Sequence, residues 1–216
     1  MKSFVNKKVI IPIGSKKFRG TLTIPPRAKA VIIFAHGGGG GRTAPRNNMV
    51  ARFFNEKNFG TLLFDMLTVK DDSSNKNNLD INLLSKRLTS ATKWFIKQPE
   101  SKGLKIGYFS VSSGTPAAII TAVKMPKLIF AIVSKSGRPD LSPHQINLLR
   151  TPILYVVGES DEPIVDINEE MYLRTPSQKD MVVIPEAGHF FDEPGALLQV
   201  SKYSLNWFKK YLKSRK

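Results

Sequence analysis

Runs of consecutive apolar residues alternate along this chain with longer stretches in which apolar residues recur every three or four positions. The runs have strand length and occupy 9–13, 20–24, 30–35, 60–64, 105–109, 130–134, 153–157 and 180–184. The middle ones are apolar throughout, the pattern of parallel strands covered on both faces. Between them, Ile81, Leu84, Leu88, Ala91 and Phe95 repeat at helical spacing, and Gln98-Pro99 stops that helix. Pro116 lies in the first turn of another helix, where its missing N–H costs little. Leu197, Val200, Ser204, Phe208 and Tyr211 mark a C-terminal helix. The first two runs have no helix between them and should form an antiparallel start. The remainder predicts an α/β fold: a mostly parallel central sheet of about eight strands with helices on both faces. Residues 1–216 read as one domain, with 71–78 as a polar surface loop. Few residues are left over before Thr151 for a large lid, so an open, shallow site is expected.

Ligands of such sheets bind beyond the carboxyl ends of the strands, and four strand ends carry chemistry. After the run at 105–109 comes Ser110-Val111-Ser112-Ser113-Gly114-Thr115-Pro116, a small-residue corner opening directly into an apolar helix. That is the form of a nucleophile elbow, with Ser110 where the usual motif has Gly. Ser112 is the candidate nucleophile because small residues flank it two positions away on both sides. Ser110 and Ser113 are neighbouring hydroxyls, and an ordinary N-cap is the competing role for this segment. Backbone N–H groups at the helix start, Ser113 first, can face developing negative charge.

After the run at 30–35, His36 is followed by five consecutive glycines, Gly37 to Gly41. This resembles the His-Gly-Gly-Gly loop that supplies an oxyanion donor in lipases and esterases. Gly38 is the first choice for that donor, with Gly37 and Gly39 close behind. His36 reads as a structural hydrogen-bonding residue. After the run at 153–157, Asp161 is the candidate carboxylate for orienting an imidazole, with Asp140 in reserve and Glu162 weaker. After the last run, Ala187-Gly188-His189 places an imidazole at a strand end. His144 has no strand before it. Arg42, Arg46 and Arg138 lie in loops near the same strand ends and are candidates for substrate binding.

Composition narrows the chemistry. The chain has 216 residues and no Cys, which removes disulfides, thiolate metal sites and a thiol nucleophile. The net charge of +16 raises the question of polyanion binding. Lys and Arg are scattered along the whole chain, however, and no nucleic-acid-binding signature accompanies them. A solvated basic surface is expected, with no specific nucleic-acid partner. No apolar run is long enough for a signal-peptide core or a membrane span, so a cytoplasmic location is expected.

Ser112, Asp161 and His189 occur in the chain order Ser, Asp, His of the α/β-hydrolases. The chain resembles that superfamily, and within it the small dienelactone hydrolase-like proteins. The resemblance rests on Ala35-His36-Gly37-Gly38 with Arg42 and Pro45-Arg46-Asn47, and on Leu62-Leu63-Phe64-Asp65. It continues through Gly107-Tyr108-Phe109 with Ser112-Ser113-Gly114, and through Gly137-Arg138-Pro139-Asp140. It ends with Val157-Gly158 and Asp161-Glu162-Pro163, then Ala187-Gly188-His189-Phe190 and Glu193-Pro194-Gly195. It implies the α/β-hydrolase fold, a Ser112/Asp161/His189 triad and an oxyanion hole near Gly38 and Ser113. The expected activity is a serine hydrolase that cleaves small carboxylic esters or lactones through an acyl-enzyme, with neither cofactor nor metal. Dienelactone hydrolase proper uses a Cys nucleophile, so activity on dienelactone does not carry over. The alternatives are a non-catalytic basic binding module on a hydrolase scaffold and an acyltransferase using the same triad.

Overall fold

The structure, a computed structural model, describes residues 3–38, 41–68, 71 and 79–213. Its strands are β1 (Val5–Ile13), β2 (Lys16–Ile24), β3 (Ala30–Ala35), β4 (Gly60–Phe64), β5 (Lys105–Val111), β6 (Ile129–Lys135), β7 (Ile153–Gly158) and β8 (Lys179–Ile184). They form one eight-stranded sheet in the order β1-β2-β4-β3-β5-β6-β7-β8. Only the β1–β2 and β2–β4 pairs are antiparallel; all the others are parallel. Every residue of β3, β4, β6 and β7 is buried. That is why those four strands are legible as apolar runs, interrupted only by Thr61 in β4 and by Ser134 and Lys135 at the end of β6. In β2 the burial alternates, as for a strand near an open edge.

Helices α1 (Pro45–Glu56) and α6 (Ala196–Lys213) cover one face of the sheet. There Phe34, Phe54, Phe109 and Phe208 form an aromatic cluster, with Phe54 meeting Phe109 and Phe208 edge-on at 5.8 and 5.7 Å. Helices α2 (Ile81–Ile96) and α3 (Gly114–Lys124) cover the other face. Leu84, Leu88, Ala91 and Phe95 of α2 are all fully buried, so the helical spacing read from the sequence is the packing stripe. Asp80 caps α2 by accepting from the Leu83 N–H at 2.9 Å. The short α4 (Pro143–Ile146) and the longer α5 (Glu162–Arg174) complete the described helices. Among the described residues no helix is long and apolar enough to cross a membrane.

One polar residue is not where the sequence pattern put it. Of the segment 71–78, expected at the surface, residues 72–78 lie outside the described residues. Asp71 itself is buried. Its carboxylate accepts from Arg87 Nη2 at 2.8 Å, from Thr68 Oγ1 at 2.7 Å and from the Thr68 N–H at 3.0 Å. Arg87 is buried too; it also donates to the Met66 carbonyl at 2.7 Å and stacks over Phe18. Burial alone would raise the Asp71 pKa, but the hydrogen bonds from Thr68 and the Arg87 guanidinium outweigh it and hold the carboxyl well below its ordinary value. The cluster ties the chain leaving β4 to helix α2.

Arg87→Met leaves that carboxylate buried without its main counter-ion and is expected to cost roughly 3 kcal/mol of stability. Because the folded-state pKa of Asp71 is depressed, the stabilisation is present above its unfolded value near ~4 and is lost as pH falls below it. Urea unfolding of Asp71→Asn at pH 7 and in acid checks this. The variant should be less stable at pH 7, and part of the acid dependence should disappear.

Candidate active site

The elbow is built by close backbone crossing. Strand β5 ends at Val111, and Ser112 adopts a left-handed φ of 51°, uncommon for a residue with a side chain. The Ser112 N–H donates to the Lys135 carbonyl at 3.2 Å. Its own carbonyl accepts from the N–H groups of Thr115 at 3.0 Å and Arg138 at 3.2 Å. These three bonds hold the corner in its strained shape. Two residues on, a Cβ on Gly114 would stand 2.3 Å from the Ala35 oxygen and 2.6 Å from the His36 nitrogen, so α3 begins directly against the end of β3. Ser113 is the N-cap residue of α3, is buried, and does not cap the helix with its side chain. Ser110 is fully buried, donates to the Val133 carbonyl at 2.8 Å and lies 3.1 Å from Thr115 Oγ1. Its hydroxyl is thus engaged between β5, β6 and α3, which is how a Ser is accommodated at this elbow position.

A second corner carries the imidazole. His189 Nδ1 lies 2.6 Å from Asp161 Oδ2. A carboxylate accepts, so Nδ1 carries the proton and Nε2 is left as the basic nitrogen. Asp161 precedes α5 at its N-cap, yet its side chain does not cap that helix; it bonds the imidazole instead. The two strand ends are pressed together because a Cβ on Gly158 would lie 2.3 Å from the Ala187 oxygen. The Ser160 N–H also donates to that oxygen, at 2.9 Å. The turn before His189 is held by Glu193, whose Oε1 accepts from the Gly188 N–H at 3.0 Å. The His189 carbonyl accepts from Ser136 Oγ at 2.9 Å and from Lys135 Nζ at 3.3 Å.

The first corner and the second open onto one cavity of about 350 Å³, whose walls include Gly38, Arg46, Ser112, Lys135, His189 and Phe190. The side chain of His189 is 34% exposed and that of Asp161 15%, so the imidazole faces the cavity with the carboxylate behind it. Arg46 forms a forked ion pair with Asp192 and lies 4.7 Å over the ring of Phe190. That hydrogen-bonded pairing raises the Arg46 pKa and lowers that of Asp192.

The other sequence candidates lie elsewhere. Gly37 and Arg42 line a neighbouring cavity of about 690 Å³, where Arg42 Nε donates to Asp65 at 3.1 Å. Arg138 is forked onto Asp140, at 2.7 Å from Nη2 and 2.9 Å from Nε, and neither residue lines the Ser112 cavity. Gly39 lies outside the described residues. His36 is buried, its ring nitrogens 2.8 Å from the carbonyl oxygens of Gly37 and Phe64, so it ties the glycine loop to β4.

Sequence reasoning passed over Lys135 and Ser136, which donate to the His189 carbonyl. Lys135 had a visible signal: it is a cation closing a strand that is otherwise apolar or hydroxylic. It is 4% exposed. Burial, reinforced by the field of Arg46 and partly offset by Asp192 and Asp161, pushes its ammonium down to about 8.

No known family profile matches the chain. Two curated Mycobacterium tuberculosis sequences, from strains CDC 1551 / Oshkosh and H37Rv, are each 36% identical over 203 residues, 94% of this chain. Both are named provisionally as phosphoribosyl transferases, and the chain spans only 46% of their length. Among solved structures, Est1E from Butyrivibrio proteoclasticus superposes with a TM-score of 0.80 at 16% identity, over 96% of this chain and 99% of that one. The Pyrococcus furiosus esterase PF2001 gives 0.80 at 18% identity, over 97% and 92%. At those identities the likeness is one of fold. Dienelactone hydrolase from Anabaena variabilis is 37% identical, with a TM-score of 0.92 over 97% of this chain and 99% of that one. By that likeness, and by its eight-stranded, mostly parallel sheet, the chain belongs to the dienelactone hydrolase family and has the α/β-hydrolase fold.

Proposed function

We propose that this hydrolase-family protein is a serine hydrolase that cleaves small carboxylic esters or lactones through an acyl-enzyme. The observation that carries the reading is the 2.6 Å contact between His189 Nδ1 and Asp161, together with an imidazole and a strained Ser112 on one cavity wall. His189 Nε2 takes the proton of Ser112 as the hydroxyl oxygen attacks the acyl carbonyl. Asp161 fixes the tautomer and stabilises the imidazolium that forms. Backbone N–H groups of Gly38 and Ser113 bind the oxyanion, with the N-terminus of α3 adding its dipole. His189 then protonates the leaving alcohol, and water releases the acyl group by the reverse steps. A cavity of about 350 Å³ suits a small acyl group. The reading needs no metal or cofactor, and the same residues would serve an acyltransferase if another acceptor replaced water.

A fluorophosphonate probe followed by digestion and mass mapping tests the nucleophile. Covalent label on Ser112 of the folded protein is expected. Quantitative recovery of an unlabelled Ser112 peptide would overturn the reading and favour a non-catalytic module.

A further inference from the structure

Among the residues that line the Ser112 cavity, Lys135 carries a nucleophilic group that hydrolysis leaves unused. It stands directly beside the elbow. Lys135 closes β6 in register with Val111, and its carbonyl accepts the Ser112 N–H at 3.2 Å. The two residues are thus backbone neighbours, and both reach the same cavity of about 350 Å³. The lysine stem is long and flexible, which puts its amine within reach of an acyl carbonyl held on Ser112.

Little ties the Lys135 nitrogen down. It has the His189 carbonyl at 3.3 Å and the face of Phe191 at 4.5 Å. No carboxylate among the described residues lines the cavity, and those whose fields reach Lys135 are engaged, Asp192 with Arg46 and Asp161 with His189. Ser136 Oγ also donates to the His189 carbonyl, at 2.9 Å, so that turn keeps an anchor when the lysine leaves it. Burial favours the uncharged amine and brings the ammonium down to about 8. An uncharged amine has a free electron pair to give to a carbonyl carbon.

We propose that Lys135 is an acyl acceptor, which in a fraction of turnovers takes the acyl group of the substrate from Ser112 in place of water. This rests on the hydrolase reading above. The Lys135 nitrogen bonds to the acyl carbon, and the bond from that carbon to Ser112 Oγ breaks. One proton of the amine passes through His189 to the Ser112 oxygen. Ester and amine become hydroxyl and amide, and no further reactant is consumed. The product is uncharged, so it removes the cost of keeping an ammonium out of water. Its acyl chain occupies the cavity, and the modified protein is inactive. At 4% exposure the amine is shielded from acyl donors in solution, and the cavity is the way in.

The test uses phenyl acetate, phenyl propionate and phenyl butyrate, with the fastest of them carried through many turnovers. Peptide mapping by mass spectrometry then reads the acyl group on each lysine. In the native protein, acylation of Lys135 is expected to exceed that of any surface lysine by about tenfold or more, and the hydrolysis rate to fall in step with it. Folded Ser112→Ala should leave Lys135 unmodified. Lys135→Arg should hydrolyse without progressive loss of rate, because a guanidinium keeps its proton. Amide and free acid come from one acyl-enzyme, so their ratio is free of the acylation step. In the native protein that ratio should rise about tenfold per pH unit below about 8 and level off above it. His189 serves both outcomes, and the other charged groups that face Lys135, namely Arg46, Asp192 and Asp161, keep their charge through that rise.

Sustained Ser112-dependent hydrolysis with the Lys135 peptide recovered unmodified would overturn this inference and leave the hydrolase reading standing. Equal acylation of Lys135 in Ser112→Ala would overturn it too, since the acyl group would then not have come from Ser112. Failure of all three esters to turn over would remove both. Mapping, rate decay and pH dependence need only the native protein, so they decide the matter even where Lys135→Arg does not fold.

Discussion

Ser112→Ala is expected to lower kcat on a small 4-nitrophenyl ester by about 10⁴-fold or more, with KM nearly unchanged. The hydroxyl is the only group in the proposed mechanism that bonds covalently to the acyl carbon. The proposed oxyanion donors near Gly38 and Ser113 would survive its removal, so turnover should not fall to the uncatalysed rate. Asp161→Asn is the companion. An amide in place of the carboxylate can no longer favour the Nδ1–H tautomer or stabilise the imidazolium, so a loss of comparable size, about 10⁴-fold, is expected in kcat. Asp161 makes no capping bond to α5, so the substitution removes no cap, and far-ultraviolet circular dichroism and the thermal midpoint should stay close to native. Activity retained to within tenfold in Ser112→Ala would place the chemistry on another group.

Gly114→Ala should unfold the protein far more readily than an added methyl group usually does. The new Cβ would lie 2.3 Å from the Ala35 oxygen, 2.4 Å from its carbonyl carbon and 2.6 Å from the His36 nitrogen. All three are backbone atoms of the β3 exit, so no side-chain rotation relieves the overlap. The loss is expected to reach about 3 kcal/mol or more. For a chain of this size that is a fall of roughly 6–12 °C in the thermal midpoint. The relief available is to push α3 away from β3, which moves Ser113 relative to Gly38. Whatever folded protein remains should therefore lose kcat as well as stability. Calorimetry and ester turnover on the same preparation check both halves. Native-like stability would mean that the β3 exit and the elbow do not cross so closely.

The resemblance read from motifs and the fold read from periodicity agree because they report different layers of one architecture. Strands β3 and β4 have the limits expected from the sequence, 30–35 and 60–64, and the equally buried β6 and β7 exceed theirs by one or two residues. Strands β1 and β2 run longer than the expected 9–13 and 20–24. The added residues, 5–8 and 16–19, are mostly Lys, Asn and Arg, and they join the sheet by backbone pairing, which leaves little trace in side-chain pattern. Asp71 was misplaced for a related reason. In a run of polar residues nothing marks the one whose carboxylate has an arginine waiting sixteen positions along the chain.

Residue types and spacing alone settle that this chain makes a mostly parallel sheet with helices on both faces, and that Ser112, Asp161 and His189 each follow a strand. Apolar burial is local information, carried in every stretch of a few residues. Which of those residues meet is not local. The contact of Asp161 with His189 joins residues 28 positions apart across the crossing at Gly158, the elbow is pressed against the end of β3 at Gly114, and the Ser110 hydroxyl, Arg42 and Lys135 find their partners on other strands and turns. Those crossings set distances to a fraction of an ångström, and hydrogen bonds and charges are decided at that scale.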